Sequence, residues 1–271
     1  MLAENDVFRI YEADRQLFFA ERNGSFGKLT PEGIERGMPF IRSASVLRIT
    51  RLTQAGLEYF VSNFGGSCRV LSLDLCSEIR DFSSLGDLHN LEAIRIEDCR
   101  SADQLWDFSG NVSLKVLSLH GAKKIVRDPV MLQTSKTLEE IRLWGAGFDN
   151  RHVLSSLACF RGMESLRRID LNHIRLANFD PDVLSSLPNL EEFHFDAGML
   201  TTEEIACICA RYPHLYGESL CAYTTSDVSC LNSVRVCGYR KPGLDLPKDQ
   251  ARLDKYISQF NALVREYQGR I

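Results

Sequence analysis

No stretch of the 271 residues is apolar for the length a helix needs to cross a bilayer. Residues 1 to 20, where an export signal would require an apolar centre, are interrupted by Glu4, Asp6, Arg9, Glu12, Asp14 and Arg15. No signal peptide is expected, and a cytoplasmic location without membrane contact is. A charge excess is also missing: 32 Lys+Arg face 36 Asp+Glu, a net −4, which disfavours nucleic acid as a partner held by counterion release. Proline is sparse at 8 residues and glycine ordinary at 18, which excludes collagen and proline-rich disorder. The chain has no paired C-x-x-C knuckles, no H-E-x-x-H and no nucleophile elbow, so the short motifs that announce zinc or hydrolytic chemistry are lacking.

What is present suits a folded protein with a sizeable core: 44% of residues are hydrophobic and 25% charged. The nine cysteines are odd in number, in a chain too long to need disulfide staples, so a reducing compartment is the simpler reading. Five of them, Cys207, Cys209, Cys221, Cys230 and Cys237, crowd the last third together with His214. Their spacing leaves a metal site as a minor alternative to small buried hydrophobes, and no cofactor is expected.

A search for self-similarity organises the middle of the chain. The pattern apolar-x-x-apolar-x-apolar begins at Ala44, Cys68, Leu91, Leu114, Leu138, Leu166 and Leu190, at intervals of 24, 23, 23, 24, 28 and 24 residues. An eighth copy at Leu215 is imperfect, because Glu218 occupies an apolar position. Before some of these segments apolar residues recur every third position, as in Ile79, Phe82, Leu85, Leu88 and in Leu157, Phe160, Met163, with Val126, Pro129, Leu132, Ser135 a looser version. A three-residue period fits short 3₁₀ turns.

These segments resemble the leucine-rich-repeat family, in its internalin-like or cysteine-containing class. Leu91, Ile94, Ile96 and Cys99 meet the family signature in full, and Cys68, Leu71, Leu73 and Cys76 come close. The resemblance covers roughly residues 44 to 200 and implies an α/β solenoid: a parallel concave sheet, with short helices or 3₁₀ turns on the convex side. Residues 1–43 are expected to form an N-terminal cap with a β-hairpin, 44–240 the repeats and 241–271 a C-terminal capping helix. The family's Asn or Cys position holds Ala122, Ala146, Ile174 and Gly198 later in the chain, so an irregular arc is expected there. The 28-residue unit is expected to carry a longer convex helix around Asn150 to Ala158. Thr53 reads as the N-cap of a helix stopped at Gly65-Gly66, and Leu253, Tyr256, Ile257, Phe260, Leu263, Val264 and Tyr267 mark one face of a terminal helix.

Alternation along a strand turns the first apolar set inward and leaves variable positions for the concave face. One ladder reads Arg48, Ser72, Arg95, Ser118, Arg142, Asp170, His194, and the next reads Thr50, Asp74, Glu97, His120, Trp144, Asn172, Asp196. Trp144 stands out, since the repeat requires no aromatic there and Trp and Arg are frequent binding hot spots. Arg95, Glu97, His120, Arg142, Trp144, Asn172, His194 and Asp196 are the candidate partner-binding residues. Internal roles compete: Trp144 covered by a loop or folded over a neighbouring strand, and the arginines paired with Asp74, Glu97 or Asp170.

The histidines and carboxylates lack the sheltered pocket that acid–base catalysis needs, so no catalytic residue is expected. The expected function is non-enzymatic recognition of a protein by a monomer. Alternatives are an immunity protein or enzyme inhibitor, a substrate-receptor subunit, or a metal-binding or enzymatic protein built on the cysteine-rich third.

Overall fold

The computed structural model describes residues 27–41, 44–147, 150–225 and 233–270. Seven five- or four-residue strands form one sheet: β1 (Val46–Thr50), β2 (Val70–Asp74), β3 (Ala93–Glu97), β4 (Val116–His120), β5 (Glu140–Trp144), β7 (Arg168–Asn172) and β9 (Glu192–Phe195). Each pairs in parallel with its neighbour in the order β1-β2-β3-β4-β5-β7-β9. The register is unbroken. Leu47, Leu71, Ile94, Leu117, Ile141, Ile169 and Phe193 stand opposite one another in sequence, and all seven are at most 1% exposed. Parallel strands need a crossover between them, and here each crossover is one turn of a coil. This is a parallel-sheet solenoid, the architecture that the resemblance implies.

The convex side is built as the three-residue period requires. Short 3₁₀ turns occupy Ser83–Asp87, Phe108–Gly110, Val130–Thr134, Leu157–Phe160 and Pro181–Ser186. They lower Phe82, Leu85, Leu88, Leu132, Phe160 and Leu184 into the core behind the sheet. Three residues per turn bring every third side chain onto the same face. Each fully buried Leu or Phe contributes about 1.5–3 kcal/mol.

Backbone polar groups beside that core are met by side chains. Cys76 receives the Leu52 N–H at 3.3 Å and its thiol lies 3.3 Å from the Asp74 carbonyl; Cys99 donates to the carbonyls of Glu97 and Leu73. On the convex side Asn111, 1% exposed, donates to the carbonyls of Leu85 at 2.8 Å and Leu88 at 3.1 Å and accepts the Trp106 indole N–H at 2.7 Å. One amide thus satisfies two neighbouring coils.

After the strands the chain turns through left-handed backbone, at Arg51, Leu75, Asp98, Gly121 and His173. At Gly121 a Cβ would lie 2.5 Å from Asp98 Oδ1. Gly145 is needed for a different reason, since a Cβ there would sit 2.2 Å from the His173 carbonyl oxygen.

The long repeat departs from its expected form. In place of a helix, residues 152–156 form strand β6 (His152–Ser156), which pairs in parallel with β8 (Ile174–Asn178) as a separate two-stranded sheet. The physical cause is alternation: Leu154 and Ile174 are fully buried and His152 nearly so, while Val153, Ser155 and Arg175 point away, a period of two that a helix could not satisfy.

The ends close the solenoid with other elements. Helices α1 (Pro31–Ile41) and α2 (Gln54–Phe64) pack together at the N-terminal side. Thr53 caps α2 by accepting the Gly56 N–H at 3.1 Å, and Gly65 ends it, as the sequence indicates. The hairpin expected in the first residues lies outside the described ones. A short helix, α3 (Lys123–Arg127), follows β4, and beyond β9 comes α4 (Thr202–Arg211). The imperfect eighth copy contributes one parallel bridge, Glu192 to Tyr216. Three short strands, β10 (Tyr223–Thr225), β11 (Ser233–Val236) and β12 (Gly243–Asp245), then form an antiparallel sheet. Helix α5 (Gln250–Gln268) covers it: Leu253 packs with Val234, Val236 and Leu244, and Phe260 joins the main core beside Leu263, Val264 and Tyr267. The apolar face read from the sequence is therefore divided between two clusters.

Candidate functional site

Both variable ladders exist in register. Arg48, Ser72, Arg95, Ser118, Arg142, Asp170 and His194 face one another across successive strands, and Thr50, Asp74, Glu97, His120, Trp144 and Asn172 do the same two positions later. Strands about 4.8 Å apart make these rows continuous. The rows are not uniform. At the β1–β4 end the outermost row is Val46, Val70, Ala93 and Val116, a small apolar cluster separate from the main core, and from β5 onward it becomes Glu140, Arg168, Glu192.

Ion pairs hold most of the charged candidates. Arg48 pairs with Asp74, which also accepts the Ser72 hydroxyl at 2.9 Å. Arg95 pairs with Glu97, and Glu97 also takes the Nδ1 hydrogen bond of His120 at 3.1 Å. That bond, followed by the attraction of the nearby Arg95 and His120 charges against a penalty from burial, lowers the Glu97 pKa to about 2. The same contact raises that of His120. Arg142, at 7% exposure, pairs with Glu140. Arg168 bridges Glu140 at 3.4 Å, Glu192 at 2.7 Å and Asp170 at 3.8 Å, and His194 Nε2 lies 2.9 Å from Glu192. Pairs of this kind, some within one strand and some across neighbouring strands, fix side-chain positions more than they add stability.

Trp144 is half-buried. Its ring meets His120 edge-on at 6.1 Å between centroids and stands opposite Asn172. The indole N–H is buried, on the side of the Asp170 carboxyl. It lies near enough to Asp170 to favour the carboxylate slightly, but burial dominates and raises the Asp170 pKa. What Trp144 offers outward is ring surface.

Asp196 is placed at the far end, where it accepts the backbone N–H of His173 at 2.9 Å. Beside it a cleft of about 430 Å³ is lined by residues including Arg151, Arg168, Asp170, Asn172, His194, Asp196, Glu218, Ser219, Thr224, Thr225 and Arg235. Three of the eight sequence candidates, Asn172, His194 and Asp196, thus converge on one cavity. Arg95, Glu97, His120 and Trp144 stand half-buried on the neighbouring strands β3 to β5, and Arg142 on β5 is buried. Arg168 and Tyr216 escaped the sequence reading. Tyr216 is 62% exposed and meets His194 edge-on at 5.7 Å. The signal for both was the outermost ladder, which continues from Glu140 through Arg168 and Glu192 to Tyr216.

No group of three or more His, Cys, Asp or Glu among the described residues is arranged to hold a metal ion. No described helix is long and apolar enough to cross a membrane.

No protein-family model matches the sequence, and no curated protein does. Among solved structures the chain is similar to an internalin, inlF, from Listeria monocytogenes: 15% identity over 57% of this chain, with a TM-score of 0.42. The matched part spans 42% of that internalin's length.

Proposed function

We propose that the protein is a non-enzymatic recognition module whose concave sheet, from β4 to the end of β9, receives a protein partner. The observation that carries this reading is Trp144, which is half-buried on the concave strand face, in register between His120 and Asn172. Tyr216, three strand positions further along the same face and in the row of Glu140, Arg168 and Glu192, adds a second exposed ring. Rigid aromatic surface surrounded by ion-paired side chains is what hot spots are built from. The ion pairs also support it: a face whose charges are already positioned loses little conformational freedom on binding.

Differential capture tests the proposal. Wild-type protein, Trp144→Ala, Tyr216→Ala and the remote control Val112→Ser, a residue 67% exposed and away from the sheet, are immobilised in turn and bound proteins compared quantitatively by mass spectrometry. The expected result is a protein retained by the wild type and the control and lost by both aromatic variants. A partner held equally by all four would move the interface off the concave face.

A further inference from the structure

We propose that Cys221 and Cys237 are a reversible dithiol–disulfide pair, oxidised by low-molecular-weight disulfides such as glutathione disulfide. Their sulfurs lie 3.9 Å apart and share a hydrogen bond. A disulfide needs about 2.05 Å between sulfurs, so a movement of about 2 Å closes the gap, within reach of side-chain rotation. The backbone already holds the two residues together: Cys237 N–H donates to the Ala222 carbonyl at 2.9 Å, and Tyr223 pairs with Val236 at the start of the β10–β11 ladder. When protonated, Cys221 is oriented by the carbonyls of Tyr223 and Glu218, 3.0 and 3.1 Å from its sulfur.

The two thiols are not equivalent. Cys221 is half-buried and reachable from solvent, and Cys237 is fully buried. The hydrogen bond from Cys237 lowers the Cys221 thiol to about 7 against the opposing effect of burial, and the same bond together with burial raises Cys237. By contrast Cys68 and Cys159, buried in apolar surroundings, are pushed up to about 12. Cys221 is therefore the attacking sulfur and Cys237 the resolving one.

The chemistry balances in two exchanges. The Cys221 thiolate attacks one sulfur of glutathione disulfide, forming a mixed disulfide and releasing one glutathione thiolate. Cys237 then gives up its proton and attacks the Cys221 sulfur, which expels the second glutathione thiolate. Two protein thiols are oxidised and one glutathione disulfide is reduced to two glutathiones. The new bond ties together the ends of the hairpin strands that bring Thr224, Thr225 and Arg235 to the concave cleft.

The test uses full-length reduced protein incubated in glutathione buffers of increasing disulfide content, then acid-quenched for intact mass and non-reducing peptide mapping. The wild type is expected to lose two hydrogens without an adduct and to yield a Cys221–Cys237 cross-linked peptide, reversed by excess glutathione. Cys237→Ser is expected to trap one glutathione on Cys221, and Cys221→Ser to acquire neither cross-link nor adduct at Cys237. Folding of each form is checked by circular dichroism. A wild type that keeps both thiols reduced, a cross-link from Cys221 to Cys230, or a folded Cys237→Ser without an adduct at Cys221 would each overturn the proposal.

Discussion

His120 donates from Nδ1 to Glu97 Oε1 at 3.1 Å across the β3–β4 ladder, so two concave side chains titrate as partners. Glu97, lowered by this contact, stabilises the fold above its unfolded value near 4.5 and loses that contribution as pH falls towards about 2. His120, raised by the same contact, stabilises below its unfolded value near 6.5 and loses that contribution as pH rises through the folded pKa. The pair is worth most between those two unfolded values. Comparison of wild-type and His120→Gln chemical denaturation from pH 4 to 8 is expected to show the largest difference near pH 5 to 6, shrinking above 7. A difference that grows with pH would refute the pairing.

Asn111→Ala is expected to lower stability by about 2–3 kcal/mol, because it strands a buried indole N–H and two buried carbonyls rather than merely deleting a contact. Urea denaturation measures the loss. Tryptophan fluorescence should report it locally, since Trp106 loses its hydrogen bond. A cost under about 0.5 kcal/mol would mean that water replaces the amide.

Gly145→Ala is the smallest change expected to be felt strongly. The methyl would meet a backbone oxygen at 2.2 Å, and no side-chain rotation can relieve that. The strand end or the His173 turn must shift, at about 1–3 kcal/mol by the usual cost of overpacking. Gly66→Ala, where a Cβ meets nothing within 4 Å, serves as the control and should melt within a degree or two of wild type. Equal melting temperatures for the two variants would show that the close approach is not maintained.

Phe260→Ala tests whether the terminal helix is part of the cooperative unit. Its side chain is 6% exposed and belongs to the main core, so truncation is expected to cost about 3–5 kcal/mol and to expose the C-terminal end of the solenoid. A single thermal transition, shifted down, is the expected result. An unchanged transition would mean that α5 unfolds independently.

Seven inward positions were legible in the sequence because each coil must bury the same two strand residues, and that demand leaves a fixed interval. The concave ladders follow from alternation alone, which sets Trp144 beside His120. The strand at His152–Ser156 was hidden by an expectation drawn from length, although Ile174 and Leu154 carried a two-residue period. The left-handed positions at Arg51, Leu75, Asp98 and His173 left no mark, since none is glycine. They are imposed from outside, by backbone bonds such as Arg51 N–H to the Asp74 carbonyl and Asp98 N–H to that of His120, both at 2.9 Å. Tyr216 was missed because Glu218 breaks the repeat just after it.

The single bridge between Glu192 and Tyr216 has a bearing on assembly. A parallel sheet that stopped on a full-length strand would present a row of unpaired backbone donors and acceptors, a template on which a second molecule could add its own strand and continue indefinitely. Here the next coil adds a single bridging residue, and β10, β11 and β12 pair among themselves as a separate antiparallel sheet. Among the described residues the array therefore ends on one bridge instead of a full-length strand, which shortens the template that edge offers to a second molecule.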